Sequence, residues 1–448
     1  MRKEQKANYP ESARGAAALL VRMVLEDGAY TNIALNQYLR GSRLSDLDRR
    51  LATELVYGTV KASGTLDWYL AQCVSRPLDK VAGDILAILR ISTYQLLYMT
   101  RIPASAAVNE AVKLARSVSH EGSAKFVNGV LRGLLRKQEA GAFVLPDADY
   151  LSLKYYHPRW LVKRWLGPWG RGGTERLLAF DNTAAPVCLR ANTLVTTRDK
   201  LLADLAEMGA QVRASKWSPY GIVAEHLPSL HTLLAALPQH FYIQDESSML
   251  VAPVLAPQPG MRVLDMCSAP GGKATHVAQL MQDKGEVIAC DIHEHKLELI
   301  AENAARLGMK SVKALQNDAL QLRSEWLGAF DRVLVDAPCS GLGVLRRRAE
   351  ARWRKQRKDL KLFPPLQLAI LNNAAQYVKE GGTLVYSTCT IEQSENHYLV
   401  EEFLTQHPEW QRIEFTHPLT GEQVQELQIL PQNDGIDGFY ICKLMKKQ

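Results

Sequence analysis

The chain has 448 residues, 47% hydrophobic and 23% charged, with 54 Lys and Arg against 47 Asp and Glu for a net charge of +7. This is ordinary globular usage, which excludes extended disorder, and the length predicts about three domains. No apolar run approaches the roughly 18 residues of a membrane span, and the opening MRKEQKANYPESARG lacks the apolar stretch of a secretory signal, so a soluble cytoplasmic protein, most simply a monomer, is expected.

From Ser12 to about Gln138 the pattern is helical. Ala16, Leu19, Leu20, Met23 and Val24 follow the i, i+3, i+4, i+7 spacing, and Leu47, Leu51 and Leu55 repeat at four. Further helices are predicted over Asp84–Met99, Ala104–Val118 and Ser123–Lys137, separated by breaks such as Arg76-Pro77 and Ile102-Pro103. Residues 1–140 therefore read as an all-α domain, with 20 basic and 13 acidic residues. Its phrases Ala107-Val108-Asn109-Glu110-Ala111-Val112 and Lys125-Phe126-Val127-Asn128-Gly129-Val130-Leu131-Arg132 resemble the final helices of NusB-type RNA-binding domains. Asn109 and Asn128 could equally cap or cross-link helices.

After a linker at Ala140–Tyr150, strands over Pro186–Thr193, Gln211–Trp217 and Gly221–Ala224 flank a helix at Arg198–Met208. This predicts a small α+β subdomain within 150–240. On their own, His157-Pro158-Arg159-Trp160, Arg190 and Asn192 read as surface-exposed polar and aromatic residues. From Phe241 to the end, 241–448, apolar strands and helices alternate: Arg262–Asp265, Thr275–Met281, Glu286–Asp291, His295–Leu307, Val312–Gln316, Arg332–Asp336, Leu366–Val378 and Thr383–Ser387. Alternation of this kind means a mostly parallel sheet covered by helices, whose ligands bind at the carboxyl ends of the strands.

The first of these strands runs into Cys267-Ser268-Ala269-Pro270-Gly271-Gly272-Lys273. Adjacent glycines let backbone approach a ligand, and the following helix presents free amides. A phosphate-binding P-loop would need Gly at 267 and Ser or Thr at 274, where Cys267 and Ala274 stand, and the dinucleotide GxGxxG is incomplete. The remaining class is S-adenosylmethionine. Asp291, closing the second strand about 20 residues on, is the candidate for the ribose hydroxyls, and Asp318, after the third, for the adenine amino group. Either aspartate alone could be only a helix cap.

Seven cysteines are present, with no CxxC pair and no Cys/His cluster of zinc-like spacing, so neither a disulfide framework nor a metal site is expected. Two of them follow apolar strands at the cofactor edge: Cys339 in Asp336-Ala337-Pro338-Cys339-Ser340 and Cys389 in Ser387-Thr388-Cys389. A methyl donor beside two cysteines points to the 5-position of a pyrimidine. Carbon 5 of cytosine is a poor nucleophile until a thiolate adds at carbon 6, and cysteine supplies thiolate near neutral pH. Asp336, carrying or sharing a proton, suits ring nitrogen 3. This chemistry leaves open which cysteine attacks.

The runs Asp265–Lys273, Asp336–Ser340 and Ser387–Cys389, with Gln244-Asp245-Glu246-Ser247-Ser248 and Gly435-Ile436-Asp437-Gly438-Phe439-Tyr440, resemble the Sun (NOL/NOP/Sun) family of RNA 5-methylcytosine methyltransferases. The resemblance implies a Rossmann-like class I methyltransferase domain with a seven-stranded sheet. It implies Cys389 as nucleophile, Cys339 as the residue that assists release, and Lys273 near cofactor and target base. Together with the NusB-like front it implies 16S rRNA as partner, free or in a partly assembled subunit, and one cytosine in it as target. A tRNA cytosine methyltransferase and a non-catalytic RNA-binding assembly or antitermination factor are the competing readings.

Between Arg346 and Lys361 stand nine Lys and Arg against two acids, an excess as large as that of the whole chain. Such a run attracts polyanions. Arg346, Arg347, Arg352, Arg354 and Lys355 are the expected phosphate contacts, which at about four neutralised phosphates predicts a log–log salt slope near −3. Trp353 either stacks on a base or packs under the loop. The family usually has a proline where Ala349 stands, so a looser or more helical loop is expected.

Overall fold

A computed structural model describes residues 8–447. The chain divides into two compact units: one runs to Thr183 and takes in Leu345–Gln356, and the other comprises Ala184–Val344 and Arg357–Gln448. No helix among the described residues is long and apolar enough to cross a membrane.

The first unit is helical. Its helices Ala13–Leu25 and Asp46–Ala71 begin where Ser12 and Ser45 accept hydrogen bonds from the amides of Gly15 and Asp48, at 3.1 and 3.2 Å, satisfying donors that the first turn leaves unpaired. Asp46 and Asp48 add negative charge at that positive end. Helices Thr31–Gly41, Gly83–Tyr98, Ala104–Val118 and Glu121–Glu139 follow. Their apolar faces meet in a core that includes Leu20, Val21, Leu55, Val56, Ile88, Leu89, Val127 and Leu131.

This unit does not end near residue 140. Thr65 donates to the carbonyl of Leu153 at 2.9 Å, Tyr98 meets Tyr156 edge to face, and His157 is buried against Asp181, 3.2 Å from its carboxylate. These contacts add helices Tyr150–Lys154 and Arg159–Phe180, the latter kinked at Gly170 with φ 61°.

The second unit holds two sheets. Strands β1 (Val187–Ala191), β2 (Gln211–Ala214), β3 (Gly221–His226) and β4 (Phe241–Ile243) form an antiparallel sheet in the order β2-β3-β1-β4. Helices Arg198–Glu207 and Leu230–Ala236 pack on it through Leu201, Leu205 and Leu233. The large sheet contains β5 (Arg262–Asp265), β6 (Glu286–Asp291), β7 (Val312–Gln316), β8 (Phe330–Asp336) and β9 (Val378–Thr388), all parallel. The chain then forms β10 (Trp410–Arg412), a small ladder of β11 (Phe415–Thr416) and β12 (Gln423–Val424), β13 (Glu426–Ile429) and the antiparallel β14 (Phe439–Lys446). The order is β7-β6-β5-β8-β9-β14, and β10 and β13 share the outer edge of β14 end to end. Eight strands thus fill the seven expected positions.

Along β8, Val333 and Val335 point into one core with Ile370, Leu371 and Phe403, while Leu334 points into the other with Val277, Val385 and Ile441. A strand buried on both faces needs helices on both sides; Gly272–Leu280 and Glu294–Arg306 supply one layer, Phe363–Tyr377 and His397–Gln406 the other. The sheet's order reverses at β5, between β6 and β8, and the ligand crevice of such a sheet opens at the carboxyl ends there.

Candidate active site

The loop after β5 is fixed by its neighbours. Met266 N–H donates to Leu334 O at 3.0 Å, Ser268 N–H to Cys290 O at 2.7 Å, and Gly271 N–H to Ser268 O at 2.7 Å. Gly271 has φ 97°, a left-handed conformation that glycine adopts without strain. A Cβ at Gly272 would come within 2.9 Å of the Tyr242 ring. Behind the loop lies Arg190. It donates to Gly272 O at 2.6 Å, Thr275 Oγ1 at 3.0 Å, Gln279 Oε1 at 3.2 Å and Gln244 Oε1. The expectation of surface residues fails here: Arg190 and Asn192 are each 1% exposed, as is His157 in the other unit. Arg190 pins the cofactor-loop helix to β1, and Asn192 ties that strand's end to the carbonyls of Gln239 and Leu307 at 2.8 and 3.1 Å.

Asp265, at the end of β5, is fully buried, with the Ser268 hydroxyl and the Cys267 amide beside its carboxylate favouring the ionised form less than burial opposes it. Burial first, and the nearby Asp336 carboxylate second, push the Asp265 pKa up to about 7. Sequence reading passed over this residue, although it closes an apolar strand one residue before the expected loop. Asp291 Oδ1 accepts from the His293 amide at 3.0 Å and lies 3.5 Å from Lys296 Nζ. Asp318 Oδ1 accepts from the Leu320 amide at 3.0 Å. Both aspartates thus brace a turn at a strand end. Ile292, beside Asp291, exposes 51% of its surface.

On neighbouring strands β8 and β9, Asp336 stands opposite Ser387, and Ala337 N–H donates to Ser387 O at 2.9 Å. The two following turns therefore leave the sheet side by side, which brings Cys339 Sγ to 3.3 Å from Cys389 Sγ. Both cysteines are half-buried and unbridged. Asp336 is held at both oxygens: Lys273 Nζ lies 2.6 Å from Oδ2, and Ser387 Oγ donates to Oδ1 at 2.9 Å. Burial works to lower the Lys273 pKa, but Asp336 and then Asp265 outweigh it, and the net shift is upward. Negative charge on Cys389 acts in the same direction; reciprocally, the ammonium favours the Cys389 thiolate. The Cys339 thiol is pushed well up by its hydrogen bond to Cys389 and by burial. The two sulfurs thus differ in surroundings, Cys389 being the one that the Lys273 ammonium acts on. Among the described residues, no group of three or more His, Cys, Asp or Glu could hold a metal ion.

In the helical unit, three of the expected RNA contacts are structural. Arg352 is 0% exposed and donates to Tyr156 O at 3.1 Å, Asn182 Oδ1 at 2.9 Å and Asp181 O at 3.0 Å. The Trp353 indole donates to Val60 O and Lys61 O at 2.9 and 3.1 Å, with its ring against Gly64. Arg354 donates to Val24 O at 2.8 Å and to Ala29 O. Their donors are directed at carbonyls, and Trp353 is half-buried. Ala349, expected to loosen the segment, is buried in the helical core, and Glu350 accepts from Thr31 Oγ1 at 2.7 Å. Arg346 lies 4.3 Å over the Phe180 ring; Arg346, Arg347 and Lys355 are half-buried.

The chain matches the family model for 16S rRNA methyltransferase RsmB/F over residues 252–445, the NusB family over 11–136, and the ferredoxin-like domain of RsmF/B-like methyltransferases over 157–229. It is 38% identical over 450 residues to the probable ribosomal RNA small subunit methyltransferase B of Bacillus subtilis, covering 97% of this chain and 99% of that one. It is 33% identical over 437 residues to the Klebsiella pneumoniae ribosomal RNA small subunit methyltransferase B, covering 97% and 98%. Among solved structures it is similar to PH0851, with a TM-score of 0.84 and 26% identity over 99% of this chain and 100% of that chain. It is also similar to NSun6 from Pyrococcus horikoshii with SFG, with a TM-score of 0.58 and 25% identity over 65% and 98%.

Proposed function

Because the chain belongs to the ribosomal RNA small subunit methyltransferase B family, we propose that it methylates carbon 5 of one cytosine in 16S rRNA, using S-adenosylmethionine and a transient bond between Cys389 and carbon 6 of the base. The observation that carries this reading is the 3.3 Å thiol pair at the ends of adjacent strands, beside the Lys273–Asp336 ion pair.

The residues fit the cofactor. The buried Asp265 carboxylate and Ser268 hydroxyl stand at the base of the loop Cys267, Ser268, Ala269, Pro270, Gly271 and Gly272, whose glycines let backbone approach a cationic ligand. Asp291 would hold the ribose hydroxyls and Asp318 the adenine amino group, with Ile292 as an apolar face for the ring. When bound, the cofactor supplies an electrophilic methyl group on a sulfonium.

Cys389, favoured as thiolate by the Lys273 ammonium, adds to carbon 6, and the displaced electron pair makes carbon 5 nucleophilic. A proton passed from the Lys273 ammonium by way of the Asp336 carboxylate to ring nitrogen 3 neutralises the negative charge that develops there. Once Cys389 is bonded to the base, its charge no longer holds the proton on Cys339; Cys339 gives that proton to solvent, and after methylation its thiolate takes the proton of carbon 5. The electrons of that C–H bond restore the ring double bond and expel the Cys389 thiolate. The cytosine must be unpaired or flipped to meet a thiol above its ring.

Methylation assays on naked 16S rRNA, small subunits and tRNA test the substrate; methylation of tRNA alone would overturn this choice. Cys389→Ala is expected to abolish turnover, and Cys339→Ala to trap a protein–RNA adduct visible in a denaturing gel. An adduct that depends on Cys339 and survives loss of Cys389 would reverse the roles.

A further inference from the structure

The two thiol-bearing turns share a support that the chemistry above does not use. A short turn over Gln393–Glu395 follows Cys389 and leads into the helix His397–Gln406. Its last residue, Glu395, and the next, Asn396, are both fully buried. Glu395 Oε2 accepts from the Ser340 amide at 2.8 Å and from Gln367 Nε2 at 2.9 Å, and Gln367 Nε2 also donates to Pro338 O at 3.0 Å. The residues on either side of Cys339 are thereby fixed.

Asn396 does the same for Cys389. Its Oδ1 accepts from Thr388 Oγ1 at 2.6 Å and its Nδ2 donates to Thr390 O at 3.0 Å. A rung between the Ser340 and Thr390 hydroxyls, 2.7 Å long, joins the two turns directly, and Tyr386 OH donates to Glu395 O at 2.7 Å. Burying a carboxyl group here is costly: burial raises the Glu395 pKa, and its Oε1 has no partner. A well-packed apolar side chain of similar volume is often as stable as a buried charged group, so fold stability alone does not account for the glutamate.

We propose that Glu395 and Asn396 are positioning residues that set the separation of the two thiols, Glu395 by holding the Pro338–Ser340 turn and Asn396 by holding the Thr388–Thr390 turn. This rests on the reading that both cysteines act in one catalytic cycle. A displaced Cys339 leaves addition by Cys389 possible and impairs release, so loss of Glu395 mimics loss of the Cys339 thiol without removing it.

The test uses the full-length protein without RNA or cofactor. Diamide takes one hydrogen from each thiol, becoming the hydrazine as the Cys339–Cys389 disulfide forms, and peptide mass spectrometry follows that linkage. Glu395→Met, similar in volume and apolar, is expected to slow cross-linking at least tenfold while retaining a cooperative melt. Glu395→Gln, whose amide oxygen still accepts from Ser340, should stay within about threefold of wild type. In methylation, Glu395→Met should lose kcat at least tenfold with KM for rRNA unchanged and accumulate the covalent adduct, with rescue by Glu395→Gln. Should Glu395→Met fail to fold, Asn396→Ala carries the same cross-linking expectation. Wild-type cross-linking and turnover in the folded variant overturn the proposal. Because cross-linking needs neither RNA nor methyl transfer, its outcome is separate from that of Cys389→Ala, which judges the catalytic reading itself.

Discussion

Arg352→Ala separates a structural arginine from an RNA-binding one. The guanidinium is fully buried and makes three hydrogen bonds, to Tyr156 O, Asn182 Oδ1 and Asp181 O. Burial lowers its pKa to about 10, with Asp181 opposing. Each charge-assisted hydrogen bond contributes about 1.5–3 kcal/mol, and removing the guanidinium leaves three buried acceptors unpaired, which, at the lower end of the about 1–3 kcal/mol that each costs, comes to roughly 3–5 kcal/mol. For a unit of this size each kcal/mol shifts the midpoint by about 2–4 °C, so the transition of the helical unit should fall by roughly 6–20 °C in calorimetry of the full-length protein. A phosphate contact predicts the opposite pattern: a melt unchanged within about 0.5 kcal/mol and a log–log salt slope of rRNA binding shallower by about 0.7. With Arg352 and Arg354 directed at carbonyls, neither is expected to contribute to that slope. An unchanged melt with a shallower slope would refute the structural assignment.

Gly64→Ala should destabilise the helical unit by about 1–3 kcal/mol, the usual cost of overpacking, because its Cβ would lie 2.4 Å from a Trp353 ring that two hydrogen bonds hold in place. The clash must exceed the roughly 1 kcal/mol that alanine gains over glycine in a helix, so a higher urea midpoint would show that the tryptophan yields. Asp265→Asn tests the buried carboxyl through pH. With its pKa raised to about 7 by burial and Asp336, wild type retains on folding a proton that the unfolded chain releases near pH 4. That stabilising contribution is complete below about pH 4 and is lost as pH rises through 7. In the absence of cofactor, the midpoint of Asp265→Asn relative to wild type should therefore climb between about pH 4 and 7 and level off above, by on the order of a few kcal/mol. A difference flat across that window would mean the carboxyl is ionised throughout. The same variant should bind S-adenosylmethionine more weakly in calorimetric titration.

The convergence of the candidate site residues was legible because parallel strands buried on both faces read as short apolar runs, and the ends of those runs mark where ligands of such sheets bind. Val263-Leu264, Val333-Leu334-Val335 and Leu384-Val385-Tyr386 each point directly to a loop, and the loops carry Lys273, Asp336, Cys339 and Cys389. Helical periodicity served the first unit equally well as far as Glu139. Past it, the helices Tyr150–Lys154 and Arg159–Phe180 are joined to that unit by a carbonyl, a tyrosine pair and a buried histidine, none of which has a sequence period. Glu395 and Asn396 had no signal either, since Gln393-Ser394-Glu395-Asn396 reads as a polar turn.

The arginines misled for a common reason. Arg190, Arg352 and Arg354 direct donors at backbone carbonyls, those of Gly272 for the first, Tyr156 and Asp181 for the second, Val24 and Ala29 for the third. Carbonyls at helix C-terminal ends, such as those of Val24 and Asp181, lack intrahelical partners and accept such donors, yet every residue has a carbonyl, so no residue type announces the acceptor. An arginine paired with a carboxylate leaves a trace in composition; one paired with backbone leaves its full charge in the count. The nine cations between Arg346 and Lys361 thus overstate the charge available to RNA, and the interior donors among them belong to the helical unit's packing rather than to the polyanion they resemble a site for.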